Sequence, residues 1–322
     1  MRISINLDAS VDALDAEHLL ALVDLWLEDR RARLPAYTVK GYAAKLTYFR
    51  DWWSGVAAWK NHELTPADLH QFDRWLQHHA RTSEHKPLAY NTRRDVLRRL
   101  RQCLHWAFAD RRFLPVDVSV WVPVPPPQKK QGRVATLAEL RRLIDATAAS
   151  SNPLRDGCAI ALLMQTGIRR IELCTIQVET IQMAADWSGV LRVSGKHTSA
   201  NPTGERPVVF DAFAGKYVAA YLDAQGWRDG PLLRNKAGGP MDVRTADRIM
   251  DATVKRAGLV GVIAGCHDLR RAFVTHFRRR NRGEEFDHLL RRQIGHSSAA
   301  TTDIYDLIDV ADLVDVIRGP LC

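Results

Sequence analysis

A small set of side chains in the second half of the chain has the types needed to act on a phosphate. They are Arg169 in TGIRRIEL, Lys196 in GKHTSANPTGER, His267 and Arg270 in CHDLRRAF, His296 in IGHSS and Tyr305 in DIYDLI. Transesterification of a phosphodiester needs a nucleophile, two or more fixed cations around a phosphorane-like transition state, and an acid for the departing oxygen. A phenol has an unperturbed pKa of about 10, so its attack at neutral pH requires cationic neighbours or a nearby base. Taken singly, each residue also has a plain structural explanation. Tyr305 lies in an apolar run as a core tyrosine would, and Arg169 beside Arg170 reads equally as a surface pair. His296 in a Gly-Ser turn reads as a cap, and Lys196 as an exposed loop lysine. His197, His276, His288 and the His78-His79 pair are read as structural. The chain has no GxxxxGK[ST] loop, GxGxxG turn, HExxH, GxSxG elbow or EF-hand loop, so nucleotide hydrolysis and zinc hydrolysis find no support.

The chain that carries these residues is basic. Its 322 residues include 46 Lys and Arg against 37 Asp and Glu, a formal net charge of +9, which suits an anionic partner without naming one. Two stretches concentrate the charge: Arg93, Arg94, Arg98, Arg99 and Arg101 in YNTRRDVLRRLRQ, and Arg270, Arg271, Arg278, Arg279, Arg280 and Arg282 in LRRAFVTHFRRRNRG. One such helix alone reads equally well as a solvated face, but two in one chain favour nucleic acid. With 46% apolar and 26% charged residues the composition is that of a globular protein, which sets disorder aside. No run approaches the roughly 18 apolar residues of a membrane span, and the N-terminal MRISINLDASVDALDAEHLL lacks a signal peptide's apolar stretch. A cytoplasmic, nucleoid-associated protein with no membrane partner is therefore expected. The five cysteines, Cys103, Cys158, Cys174, Cys266 and Cys322, are odd in number and widely spaced, against both a disulfide framework and a metal knuckle.

The elements that must position the set are mostly helical. Apolar residues recur at three- and four-residue intervals through residues 9 to 112. Thr65 with Pro66 should start one helix, and Asn91 or Thr92 should cap the next. On that helix Arg94, Arg98 and Arg101 form a stripe beside the apolar face, placed to lie along a phosphate backbone. SVWVPVPPPQKKQGR forbids helix and reads as an interdomain linker, with Lys129 and Lys130 as its basic pair. The expected division is a helical domain over 1–120, a Pro-rich basic linker over 121–133 and a second domain over 134–322. In the second domain TLAELRRLIDATA, RDGCAIALLMQTG and RRIELCTI read as helices, the second ending at Gly167. VLRV and PVVF then form a hairpin with a long polar loop, and helices resume with AFAGKYVAAYLDAQG, TADRIMDATVKRAG and DLRRAFVTHFRRR before the terminal run TTDIYDLIDVADLVDVI. The fold class is mainly α with a small β-sheet.

TGIRRIEL, GKHTSANPTGERPVV, HDLRRAFVTH and IGHSSAATTDIY occur in the order and approximate spacing of the motifs of the tyrosine recombinases, the phage integrase family, and the chain resembles its Xer-like two-domain members over residues 10 to 310. The resemblance implies an all-helical, SAM-like core-binding domain that clamps DNA, followed by a mixed α/β catalytic domain of the DNA breaking-rejoining type. It implies that Tyr305 attacks the scissile phosphate to form a 3′-phosphotyrosine and that Arg169 and Arg270 grip the non-bridging oxygens. Lys196 resembles the general acid for the 5′-oxygen, His267 and His296 serve the same phosphate, and Glu172 orients a neighbouring side chain. DNA contacts are expected from Arg93, Arg94, Arg98, Arg101, Lys129 and Lys130. No metal or nucleotide cofactor is implied. The implied partners are a double-stranded recombination site and further copies of the chain, four protomers on two sites, with a paralogous recombinase or accessory protein left open. A type IB topoisomerase-like relaxing activity and a catalytically silent DNA-binding protein are the competing readings. Ile171 stands where the family often has a small residue, and Arg271 where many members have His. The segment after Tyr305 is expected to dock on a neighbouring protomer, as in related recombinases.

Overall fold

The computed structural model describes residues 16–57, 64–114, 116–128, 133–195, 204–295 and 316–321. The chain divides into two compact units, residues 1–131 and 132–322. Among the described residues the first unit is all helical and the second is helical with a three-stranded sheet. No helix of the described residues is long and apolar enough to cross a membrane.

The first unit contains α1 (Ala16–Arg33), α2 (Ala36–Ala57), α3 (Pro66–His78) and α4 (Tyr90–Ala109). Each buries one stripe in a shared core, in which Phe49 of α2 meets Phe72 of α3 edge-on at 5.2 Å and stacks on Trp53 at 6.0 Å. Helix α3 begins as its sequence indicates: Thr65 accepts from the Asp68 amide, Asp68 accepts from the Thr65 amide, and Pro66 occupies the first turn. Helix α4 does not. It starts at Tyr90 after Ala89, with no side-chain cap, so neither Asn91 nor Thr92 caps it. The Asn91 amide instead brackets the backbone of Gln128, donating to its carbonyl at 2.8 Å and accepting from its N–H at 3.1 Å. The prolines at 123 and 125–127 supply no N–H donors, and the backbone of Gln128 just beyond them takes its partners from the Asn91 side chain, which is thereby drawn away from the helix start. Val118 and Val122 are buried with the helical core, and residues 123–128 continue without helix or strand.

The second unit is built around α6 (Pro153–Thr166), in which every residue from Asp156 to Thr166 is buried, the pattern of a helix surrounded on all sides. Asn152 caps its start, and Gly167, with φ 67°, turns the chain out of it in a left-handed conformation that a side chain disfavours. Around it lie α5 (Leu137–Asp145), α7 (Arg170–Leu173), α8 (Ala212–Gln225), α9 (Val243–Arg256), α10 (Cys266–Arg280) and α11 (Glu284–Ile294). The sheet has the order β1 (Gln182–Met183), β2 (Gly189–Ser194), β3 (Glu205–Phe210), antiparallel throughout. Leu191 pairs with Val208 and Val193 with Arg206, and Leu191 and Val193 point into the core while Arg192 is exposed. The expected hairpin is thus present. Two elements, β1 and α11, have no counterpart in the sequence reading: the first is two residues long, and the second spaces its few apolar residues between charges.

Helix α11 is nevertheless well anchored. Leu289, Leu290 and Ile294 pack with Phe273 and Phe277 of α10, Val209 of β3 and Ile317. The fully buried Gln293 joins three elements: its amide donates to the Thr166 and Val209 carbonyls at 3.2 and 2.8 Å, and its oxygen accepts from the Val209 N–H at 3.1 Å. The chain's last described residues return to the same unit, where the Gly319 N–H donates to Asp211 at 2.7 Å and the Leu321 N–H to Gln165 at 3.2 Å. Burial raises the Asp211 carboxyl pKa, against the hydrogen bonds it receives. Gln293→Leu keeps the volume but orphans buried backbone groups, each worth roughly 1–3 kcal/mol when unsatisfied. Chemical denaturation should therefore show a loss of at least about 2 kcal/mol.

Candidate active site

The end of α6 and the end of α11 come together, and three of the candidates, Arg169, Glu172 and Arg270, collect there. Gly167 turns the chain so that Arg169 enters α7 in an extended conformation. Its backbone N–H donates to Glu172 Oε2 at 2.7 Å and its Nη1 to Glu172 Oε1 at 2.9 Å. The same guanidinium reaches the carbonyls of Ile294 and Gly295 at 3.5 and 3.2 Å. Arg270, from the second turn of α10, donates to the carbonyls of Gly167 at 2.7 Å and Ile294 at 2.6 Å. Arg169 and Arg270 therefore share one acceptor, Ile294 O.

A third guanidinium completes the group. Arg206 at the start of β3 donates to Glu172 Oε2 at 2.8 Å and to the Gln293 carbonyl at 2.5 Å. Glu172, 1% exposed, thus accepts from two arginine side chains. The last carbonyls of α11, which have no partner within the helix, accept from Arg169, Arg206 and Arg270 in turn. Cations there also complement the negative end of the helix dipole.

Counting these four groups, three cations surround one anion, leaving the cluster positive by two charges. Burial draws the Arg270 pKa down to about 10, and the neighbouring Arg169 adds to the effect. Burial also lowers that of Arg206, with Glu172 opposing. A guanidinium this far below its ordinary value still carries its proton at neutral pH. It is a desolvated cation without full compensation, the electrostatic setting in which a bound oxyanion is favourable.

Two glycines bring further chain to the cluster. Gly195, whose N–H closes the β2–β3 hairpin onto the Gly204 carbonyl, lies so near that a Cβ added there would sit 2.8 Å from Glu172 Oε1. Gly295, with φ 64°, ends α11, and a Cβ there would collide with the Arg206 side chain. The next residues in the chain are Lys196 and His296. Lys196, His296 and Tyr305 lie outside the described residues, as do Lys129, Lys130 and most of the segment after Tyr305.

His267 stands exposed one turn before Arg270 on α10. Neither departure from the family pattern enters the cluster: Ile171 is exposed, and Arg271 pairs with Asp268 at 3.1 Å and donates to the Arg133 carbonyl at 2.6 Å. The sequence reading passed over Arg206 although it quoted the GERPVV that contains it. Its only signal there is its position where the hairpin resumes as strand.

The arginines of α4 have a different setting from the one their spacing suggested. Arg93 pairs with Asp73 at 2.9 Å, and burial of that carboxyl raises its pKa. Arg94 donates to the Pro125 carbonyl at 2.9 Å, and Arg101 to those of Ser119 and Val122 at 3.2 and 2.9 Å. Arg94 and Arg101 tie residues 119–125 to α4, the Ser119 and Val122 carbonyls accepting also from the Val122 and Val124 N–H groups. Arg98 is exposed.

Residues 133–310 match the profile of the phage integrase family. The tyrosine recombinase XerD of Corynebacterium glutamicum is 32% identical over 215 residues, covering 63% of this chain and 67% of that protein. XerD of Mycobacterium tuberculosis is 28% identical over 223 residues, or 67% and 70% of the two chains. Among solved structures, XerH bound to a palindromic difH substrate aligns with a TM-score of 0.66 at 16% identity, covering 89% of this chain and 79% of that one. A lambda integrase (75–356) dimer bound to a COC′ core site aligns with a TM-score of 0.62 at 15% identity, covering 91% and 99%. These similarities establish a shared fold.

Gly295→Ala should cost more than the roughly 1–2 kcal/mol of a left-handed non-glycine residue, because it adds the collision with Arg206. Gly226, with φ 69° and open space around it, provides the control. Denaturation should show Gly295→Ala as the more damaging of the two.

Proposed function

This chain belongs to the phage integrase family, and from that premise we propose that it is a site-specific DNA recombinase that cuts and rejoins strands through a 3′-phosphotyrosine. What supports the reading is the cluster at Glu172: guanidinium groups with an excess of two positive charges, bordered by the backbone from which Lys196 and His296 follow.

The chemistry runs as a balanced exchange of esters. The Tyr305 oxygen attacks the scissile phosphorus as its proton passes to water, the P–O bond to the 5′-oxygen breaks, and Lys196 supplies a proton to that oxygen. A phenolate adding to a phosphodiester anion gives a transition state with two negative charges. Arg169 and Arg270 meet those charges with planar, multi-donor groups that Lys replaces poorly. His267 and His296 donate hydrogen bonds to the same phosphate, and Glu172 orients Arg169. A diester is conserved throughout, so rejoining by the 5′-hydroxyl needs no energy source, and no metal or nucleotide cofactor enters the scheme.

The helical domain of residues 1–120 acts as the DNA clamp, joined through residues 121–133 to the catalytic domain of 134–322. Exposed Arg98 and Arg101, together with Lys129 and Lys130, supply phosphate contacts; Arg93 and Arg94 contribute mainly by shaping the surface that meets DNA. Phosphate contacts make affinity fall with salt. A lambda integrase tetramer has been solved on a Holliday junction, and four copies of this chain on two sites are the corresponding assembly. Residues 316–321 return to their own unit, so the contact with a neighbour in that assembly falls to the part of the segment after Tyr305 that precedes them, with a paralogue or accessory protein as a further partner, at the nucleoid in the cytoplasm. Topoisomerase-like relaxation and silent DNA binding are weaker readings, because the similar proteins that span most of this chain are recombinases.

Trapping the covalent intermediate tests the reading. A nicked duplex carrying the site that the wild-type protein enriches from random-sequence DNA should give a protein–DNA adduct on a denaturing gel. Tyr305→Phe should give none while retaining DNA binding. A tightly bound site that yields no adduct with the wild-type protein would favour the silent binding protein.

A further inference from the structure

We propose that Arg206 is a positioning residue for strand cleavage, a role that rests on the recombinase reading above. Arg206 does not face outward: its side chain is 13% exposed, against 40% for Arg169. Its donors go to Glu172 and the Gln293 carbonyl, not to solvent. It is therefore placed to act through its neighbours.

The Glu172 carboxylate is shared between the two arginines. Oε2 accepts from the Arg169 backbone N–H and from Arg206, while Oε1 accepts from the Arg169 side chain. A carboxylate this deeply buried needs all of these donors. With Arg206 gone, Oε2 is left short of one charge-assisted bond. The Arg169 guanidinium is the nearest replacement, and its forked geometry suits bidentate pairing with both oxygens. Taking that pose pulls Arg169 away from the Ile294 and Gly295 carbonyls and turns its donors inward, away from a phosphate.

The same loss loosens two further supports. The Gln293 carbonyl loses its donor at the end of α11, next to the Ile294 carbonyl that orients Arg270. Gly195 and Gly295, which touch Glu172 and Arg206 respectively, lose one member of the pair that fixes their spacing. Arg206 thus links the β2–β3 hairpin to α11. Through that link it sets the separation between the chain entering the Lys196 segment and the chain entering the His296 segment.

The test compares cleavage with binding in the nicked-duplex assay, using the site selected by the wild-type protein. Single-turnover adduct formation at saturating protein, the Kd for the same duplex and thermal melting are measured for each variant. Arg206→Met should slow adduct formation about 100-fold, the scale of a misplaced catalytic group, with Kd changed by less than about threefold. Arg206→Lys keeps the charge but cannot span both acceptors, so it should remain about tenfold slow with an unaltered Kd. Adding Glu172→Gln to Arg206→Met removes the carboxylate that recruits Arg169, and should raise the rate above that of Arg206→Met alone.

A folded Arg206→Met protein that cleaves at the wild-type rate overturns the inference. So does a loss of binding that matches the loss of cleavage in both single variants, which is the signature of a merely structural residue. If Arg206→Met does not fold, Arg206→Lys decides: slow cleavage with normal Kd supports the role, and the wild-type rate rejects it. A wild-type protein that forms no adduct removes the recombinase reading, and this role with it. A wild-type adduct alongside unimpaired Arg206 variants removes this role alone.

Discussion

A carboxylate withdrawn from water must be surrounded by donors, and at Glu172 that requirement organises the catalytic unit. The side chain is 1% exposed and accepts from Arg169 on its own short helix and from Arg206 on the facing strand. Both arginines, with Arg270, also donate to the last carbonyls of α11. One buried anion and one helix terminus therefore fix three guanidinium groups that would otherwise repel one another. Burying a charge costs several kcal/mol unless it is paired and hydrogen-bonded, so any change that disturbs one member is felt by all.

The surrounding fold supplies rigidity to this arrangement. Helix α6 is buried on every side and ends at Gly167, whose carbonyl is itself an acceptor for Arg270. Gln293 ties α11 to α6 and β3 through buried amide bonds. The cluster is thus mounted on packed elements and on the short buried turn between α6 and α7, which holds donor geometry ahead of substrate binding and avoids reorganisation during the reaction. Its excess of two positive charges matches in magnitude the two negative charges of the transition state reached when a phenolate attacks a phosphodiester.

Much of this is legible in the sequence, for reasons particular residues make clear. The mainly helical fold, the β2–β3 hairpin, the Thr65 cap and the stop at Gly167 follow from periodicity and turn chemistry, which are local. Arg169, Glu172 and Arg270 stand out because their motifs occur in a recognisable order. Arg206 does not, since its partners Glu172 and Gln293 are 34 and 87 residues away in the chain and nothing local distinguishes it from a surface arginine. The partners of the α4 stripe are likewise distant. Its helical spacing is as expected, but Arg94 and Arg101 bind carbonyls contributed by residues 31 and 18 to 21 positions on. Asn91 resembles a helix cap, yet its amide serves Gln128, 37 residues away. Helix α11 went unread because charged residues separate its few apolar ones, although its C-terminus is central to the cluster.

The central claim is that the guanidinium groups held at Glu172 serve the charge of the scissile phosphate. Its most direct test compares single-turnover cleavage of a phosphodiester with that of a neutral methylphosphonate at the same position, by the wild-type protein and by Arg270→Ala. The account predicts that Arg270→Ala loses about 100-fold or more on the phosphodiester, the scale of removing an oxyanion-stabilising donor, and far less on the methylphosphonate. Equal losses on the two substrates would contradict it, because the arginine would then be doing something other than meeting that charge.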